Sequence, residues 1–227
     1  MESAIVLMSK VPRAGYTKTR LLTHLSGAEC AEFHSSCLQD LAYTLEQTGL
    51  KTYLYYTGGS PEEVLFDNAI SKLEKRPQIG QDLGERLYNA ALEVLSQHGG
   101  VIFIGADLPY LSCANFIEAV EQLARFDTVI GPAEDGGYYL FGIKQAKPGF
   151  FSKIDWGTDR VMSTTLVRIK SLGLSVSLLE TKRDIDTWDD VLAFNRQNLS
   201  SNQYRELKSY RYIEKIAQGK VSNRSLG

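Results

Sequence analysis

Short runs of branched and aromatic apolar residues alternate with segments of helical spacing along almost the whole chain. Residues 4–8 are apolar and rich in branched side chains, the pattern of a buried strand. Residues 52–56, 101–104, 128–130, 138–142 and 175–179 read as further strands. Ser26 and Glu29 form a capping box ahead of Leu38, Leu41 and Leu45, which repeat at helical spacing until Gly49. Ser60 and Pro61 open another helix, with Pro at its first position. Helices are also expected over 83–95, from the cap at Ser112 to about 123, over 159–172 and over 187–195. Strands and helices in this order predict an α/β fold with a mainly parallel sheet wound by helices. Such sheets hold ligands beyond the carboxyl ends of their strands, so the informative residues should follow strands.

At 227 residues, with 43% hydrophobic and 23% charged residues, the chain has enough apolar material for one ordinary core. One domain is expected over 1–199, with a helical tail over 200–227 that packs on it or frays. In the tail, Tyr204, Leu207, Tyr210, Ile213 and Ile216 recur at roughly helical spacing. The net charge of −2 argues against nucleic acid as a partner, so any polyanion site must be a local cluster of cations. Cys30, Cys37 and Cys113 show neither disulfide nor zinc spacing, which fits a reducing cytoplasm. No run approaches a transmembrane span, and the first residues lack the pattern of a signal peptide. His24, His34 and His98 share no motif, and no G-x-S-x-G elbow is present for a serine hydrolase.

Four clusters follow strands. After the first come Lys10, Arg13, Lys18 and Arg20, four cations in eleven residues, with Pro12, Gly15 and Thr19 shaping the loop. Cations and backbone N–H groups in such a loop suit phosphate, although a solvated basic loop has the same composition. This is no Walker loop, because Gly15 and Lys18 are not adjacent. After the third strand, Asp107 stands where a metal-bound phosphate would lie, and its hard oxygens suit Mg²⁺ or Mn²⁺. It is equally compatible with a turn cap before Pro109. Asp135-Gly136-Gly137 is either a tight turn or a loop that closes on the transferred group. Asp184, Asp186 and Thr187 precede a helix; Thr187 or Asp186 suits a cap, and Asp186 also suits a metal contact. Gln78 and Asp82 bracket a further loop, where Asp82 caps the next helix or meets a ligand.

Taken in order, Lys10-x-Pro12-x-x-Gly15-x-x-Lys18-Thr19-Arg20-Leu21, Gln78-x-Gly80-x-Asp82-Leu83-Gly84-Glu85-Arg86, Gly105-x-Asp107-x-Pro109, Asp135-Gly136-Gly137-Tyr138-Tyr139, Trp156-Gly157-Thr158 and Asp184-x-Asp186-Thr187 resemble a bacterial family of GT-A-fold glycosyltransferases. These nucleotide-diphospho-sugar transferases are related to the 2-phospholactate guanylyltransferases. The resemblance implies a three-layer, Rossmann-like GT-A fold. It implies donor phosphates on Lys10, Lys18 and Arg20, with the rest of the donor site from Arg13, Gly15, Thr19, Gln78, Asp82, Gly136 and Gly137. The metal, Mg²⁺ or Mn²⁺, would be held by Asp107 and Asp186, and Asp107, Asp135 and Lys18 would act in catalysis. Two reactions follow. In glycosyl transfer a nucleotide-diphosphate sugar gives its sugar to a small acceptor, with Asp135 as general base. In nucleotidyl transfer a phosphorylated acceptor attacks a nucleoside triphosphate. The Lys18-Thr19-Arg20-Leu21 match and Gly105, which removes a D-x-D pair, favour the second reaction; the family designation favours the first. A nucleotide-binding protein without turnover is the third alternative, and homodimerisation is left open.

Overall fold

The computed structural model describes residues 2–64, 68–201 and 204–224. Seven strands form one mixed sheet: β1 (Ser3–Lys10), β2 (Thr52–Thr57), β3 (Glu74–Pro77), β4 (Gly100–Ile104), β5 (Thr128–Pro132), β6 (Tyr138–Ile143) and β7 (Val176–Leu178). Their order is β3-β2-β1-β4-β6-β5-β7. β1 is parallel to β2 and β4, and only β6 runs against its neighbours β4 and β5. Between β1 and β4 the winding reverses direction, which opens a crevice at their carboxyl ends.

Alternation along the strands builds the layers. In β1, Ile5 and Leu7 join one core while Ala4 and Val6 join the other. In β4, Ile102 and Ile104 face the first core, Val101 and Phe103 the second. The first core is closed by α1 (Gly27–Thr48) and α4 (Cys113–Arg125), through Leu38, Leu41, Leu45, Phe116 and Leu123. The second is closed by α3 (Leu83–Leu95) and α5 (Val161–Ser171), through Leu87, Ala91, Val94 and Ile169. Each fully buried leucine of these faces contributes about 1.5–3 kcal/mol. The fold is therefore a three-layer α/β/α sandwich of the Rossmann-like kind.

Local signals act as expected in α1, where the Ser26 hydroxyl accepts the Glu29 N–H at 3.2 Å and the Glu29 carboxylate accepts the Ser26 N–H at 2.7 Å. Gly49 ends that helix at φ 68°. The helix expected from Ser60 is instead a 3₁₀ turn over Pro61–Val64, followed by the short α2 (Asn68–Lys72). Residues 65–67 lie outside the described residues. α5 starts at Val161 rather than 159, because Thr158–Val161 closes a separate turn in which the Val161 N–H donates to the Thr158 carbonyl at 3.3 Å. α6 (Trp188–Ser201) places Val191 and Phe194 in a third cluster built on the far side of α1, and it runs past the expected end at 195, where buried Asn198 accepts the Tyr204 N–H. α7 (Lys208–Arg224) brings Tyr210 and Ile213 into the same cluster. Residues 202–203 and 225–227 of the expected tail lie outside the described residues. Among those described, no helix is long and apolar enough to cross a membrane.

Candidate active site

β1 ends at Lys10, and Val11 extends its pairing by donating to the Thr57 carbonyl at 2.9 Å. The chain then turns over the sheet edge and settles into a 3₁₀ turn at Thr19–Leu21. Lys18, just before it, is left-handed at φ 49° and ψ 41°. That conformation costs a non-glycine residue about 1 kcal/mol or more, so the surroundings must hold it. They do: the Lys18 ammonium is buried, ion-paired with Asp107 and bonded to the Ile185 carbonyl. Burial works against its charge, but Asp107 outweighs burial and raises its pKa. Burial likewise opposes ionisation of Asp107, and Lys18 overrides it and holds the carboxyl below its usual range. Asp107 keeps 45% of its side chain exposed, so it still faces the cleft.

Three more carboxylates surround this pair. Asp135, between β5 and β6, accepts the Gly137 N–H at 2.9 Å and thereby shapes its own turn. Asp186, after β7, is ion-paired with Arg20 at 3.1 Å. Asp184 has one oxygen, Oδ1, buried without a hydrogen-bond partner among the described residues. Burial first, then the negative charges of Asp107 and Asp135, push its carboxyl up to about 7. Asp184 is absent from the ligand set expected from sequence. The signal was present: Ile185 between the two aspartates is buried, so Asp184 and Asp186 point together to the other side of an extended chain. Thr187 caps α6, exchanging bonds with Asp190, whose carboxylate accepts the Thr187 N–H at 2.7 Å.

These groups line a cleft of about 590 Å³ at the carboxyl ends of β1 and β4. Lys10, Thr19, Arg20, Gln78 and Gly137 share its wall with Lys18, Asp107, Asp135 and Asp186, and Tyr138 and Trp156 add aromatic surface. A second chamber of about 280 Å³ adjoins it and shares Arg20, Asp135, Asp184 and Asp186. Four other expected residues do not line the cleft. Arg13 is turned to Glu63, bonded at 2.6–2.8 Å. Gly15 takes φ 73° in the loop and packs its backbone against Gly27. Asp82 caps α3 by accepting the Glu85 N–H at 2.8 Å. Gly136 holds the turn at φ 87°, with the Asp159 carbonyl 2.3 Å from where a Cβ would stand.

His34 is a second cleft residue to which the sequence assigned no role. It lies beneath the end of β1, with Nε2 3.0 Å from the Ser9 hydroxyl and 3.2 Å from the Lys10 carbonyl. Burial, and then the Lys18 charge, lower its pKa to about 4 and keep the ring neutral. Among the described residues, no group of three or more His, Cys, Asp or Glu side chains is close enough to hold a metal unaided.

A family profile described as "Uncharacterized protein conserved in bacteria (DUF2064)" matches residues 27–158, more than half of the chain. The chain belongs to the DUF2064 family. The matched segment of this DUF2064 protein carries Asp107 and Asp135, while Lys18 and the Asp184–Asp186 pair lie on either side of it. Among solved structures, a protein from Desulfovibrio desulfuricans G20 named "putative nucleotide-diphospho-sugar transferase" superposes with TM-score 0.86 at 28% identity, over 96% of this chain and 98% of that one. The six-motif resemblance therefore stands on a neighbour that spans nearly the whole chain. Rv0371c from Mycobacterium tuberculosis H37Rv, in complex with manganese, is 18% identical over 88% of this chain and all of that one, with TM-score 0.53. The 4-diphosphocytidyl-2C-methyl-D-erythritol synthase of Anaerococcus prevotii is 10% identical over 87% of this chain and 99% of that one, with TM-score 0.55. At those identities the last two share the fold with the DUF2064 chain. The comparison with curated proteins finds no match.

Proposed function

We propose that this protein is a metal-dependent transferase that takes a nucleotide-diphosphate sugar in the cleft and transfers the sugar to a small acceptor. The transferase class accords with the neighbour at 28% identity. The supporting observation within the chain is the meeting of Lys10, Lys18 and Arg20 with Asp107, Asp184 and Asp186 at the switch point of the sheet. Lys10 touches no carboxylate among the described residues; its exposed ammonium rests over the Tyr16 ring, 5.0 Å from the centroid, and donates to the Tyr16 carbonyl at 3.5 Å, which leaves its other protons for a phosphate. Lys18 and Arg20 already balance carboxylates, so they are placed to share charge with a diphosphate as it departs.

The same carboxylates fit a divalent cation. Asp107 and Asp186 both line the cleft, and the buried oxygen of Asp184 lacks a donor among the described residues. Hard carboxylate oxygens suit Mg²⁺ or Mn²⁺, and such ions commonly take their remaining ligands from substrate phosphates and water. When bound there, the ion would neutralise diphosphate charge. Asp107 and Asp186 are the proposed ligands, supported by Asp184. Rv0371c, which shares the fold, binds manganese. The chain's own residues supply the rest. Lys10, Lys18 and Arg20 bind the phosphates, and Tyr138 and Trp156 offer flat surface to a sugar ring. Asp135, fixed by the Gly137 N–H, is positioned to take the proton of the attacking acceptor hydroxyl. The new bond joins that oxygen to the anomeric carbon, the bond to the diphosphate breaks, and nucleoside diphosphate leaves.

One observation favours a second reading, nucleotidyl transfer. Gly105 stands two residues before Asp107, so the strand end offers one carboxylate and no D-x-D pair. A phosphorylated acceptor would then attack the α-phosphate of a nucleoside triphosphate and release pyrophosphate, with position and charge as the main contributions. Incubation with Mg²⁺, a panel of nucleotide sugars and nucleoside triphosphates, and candidate acceptors separates the two. Nucleoside diphosphate released from a nucleotide sugar supports glycosyl transfer, pyrophosphate supports the second reading, and binding without turnover across a broad panel overturns both.

A further inference from the structure

Arg86 differs from most cations of the cleft. Lys18 and Arg20 are each neutralised by a carboxylate. Arg86 lines the same cleft, yet it forms no ion pair among the described residues. The acids nearest in sequence are engaged elsewhere: Asp82 accepts the Glu85 N–H, and Glu85 accepts the Gln81 N–H, each at 2.8 Å. The one side-chain bond of Arg86 among the described residues runs from Nε to the Gly80 carbonyl at 3.1 Å and fixes the plane of the guanidinium. Gly80 reaches it because the loop folds against α3 at φ 145°, where a Cβ would stand 2.7 Å from the Glu85 Cβ and 2.8 Å from the Arg86 nitrogen. The two terminal nitrogens remain as an anchored fork of donors.

Gln78, two residues before Gly80, supplies the opposite polarity. Its amide nitrogen donates to the Ser9 carbonyl at 3.1 Å and the Tyr55 carbonyl at 2.9 Å. The amide can therefore only accept from a ligand, through Oε1. Both residues sit on the β3 side of the switch point, whereas Asp184 and Asp186 follow β7 at the other edge of the sheet. With donor phosphates on the loop after β1, a nucleobase lying toward the β3 edge would meet Gln78 and Arg86.

We infer that Arg86 and Gln78 read the nucleobase of the donor and select one that presents two adjacent acceptors beside an N–H. This rests on the donor reading above. Guanine offers N7, O6 and N1–H in that order, and cytosine offers O2, N3 and N4–H. In either case the Arg86 fork meets the acceptor pair and Gln78 Oε1 meets the N–H. Adenine and uracil alternate acceptor and donor along their hydrogen-bonding edges, so one nitrogen of the fork would face an N–H.

The test is calorimetric binding of GDP, CDP, UDP and ADP to the full chain with Mg²⁺, repeated for Arg86→Lys, Arg86→Met and Lys10→Ala. GDP or CDP should bind at least about tenfold tighter than both UDP and ADP, and the better of the two identifies the base. In the Arg86 variants that preference should shrink below about threefold, while Lys10→Ala weakens all four alike. Arg86→Lys keeps the charge and decides the matter if Arg86→Met does not fold. A UDP or ADP preference, equal affinities, or a preference intact in the Arg86 variants overturns the base reading and leaves the donor reading standing. Failure of all four to bind overturns both.

Discussion

Lys18 carries three burdens: a left-handed backbone, a buried charge and the pairing with Asp107. Asp107→Asn keeps the shape of the carboxylate and removes its charge. Turnover of the donor should fall at least about a hundredfold, as when one preorganised electrostatic contact is lost. The same change leaves Lys18 charged without its partner. Because Asp107 is 45% exposed, water relieves part of that loss, and denaturant unfolding should show about 1–2 kcal/mol of destabilisation. Adding Lys18→Met should restore some of this, and simple additivity of the two changes would deny the coupling. His34 gives a pH signature. The unfolded ring gains a proton near pH 6.5 and the folded ring only near 4, so falling pH favours the unfolded state between those values. Stability should drop by about 2 kcal/mol from pH 7 to pH 5, and His34→Gln should remove that part of the slope. Asp107 and Lys18 were legible as motif residues, but nothing in one dimension says that they touch across 89 positions. Asp184 shows the converse, an alternation signal legible after the fact.

At the scale of elements, the strand and helix pattern was readable because each relies on local periodicity and caps. The exceptions have a tertiary cause. α6 outlasts its expected end at 195 where Asn198, on its added turn, is buried and accepts the Tyr204 N–H. The Asp135–Gly137 turn owes its shape to a contact invisible in sequence, the Asp159 carbonyl against Gly136. Gly136→Ala should therefore cost about 2–3 kcal/mol, combining positive φ with a clash, and a melting curve superimposable on the native one would show that the turn yields freely. α7 begins on a side chain from another helix: buried Asp40 accepts the N–H groups of Lys208 and Ser209 at 2.8 and 2.9 Å. Asp40→Ala should cost about 2 kcal/mol and lower Tm by about 4–8 °C.

For the whole molecule, one sheet reverses its winding between β1 and β4, and the loops that follow β1, β4, β5 and β7 converge there. This arrangement was legible as a class from the alternation of elements. Which cations would find carboxylate partners was not, because that depends on the order of strands across the sheet. The C-terminal segment belongs to the same body by packing: Tyr204, Tyr210 and Ile213 are buried against α1 and α6. A chain ending at Ser201 should lose on the order of 5 kcal/mol, measured by denaturant unfolding. The proposed reaction requires a phosphate-bearing donor and a divalent cation to meet at Asp107. Calorimetric titration of nucleoside diphosphate, with and without Mg²⁺, into the native chain and into Asp107→Asn addresses this most directly. Mg²⁺ should tighten binding to the native chain at least about tenfold, or 1.4 kcal/mol, and give no such gain in the variant. An equal gain in both proteins would rule out a cation held by Asp107.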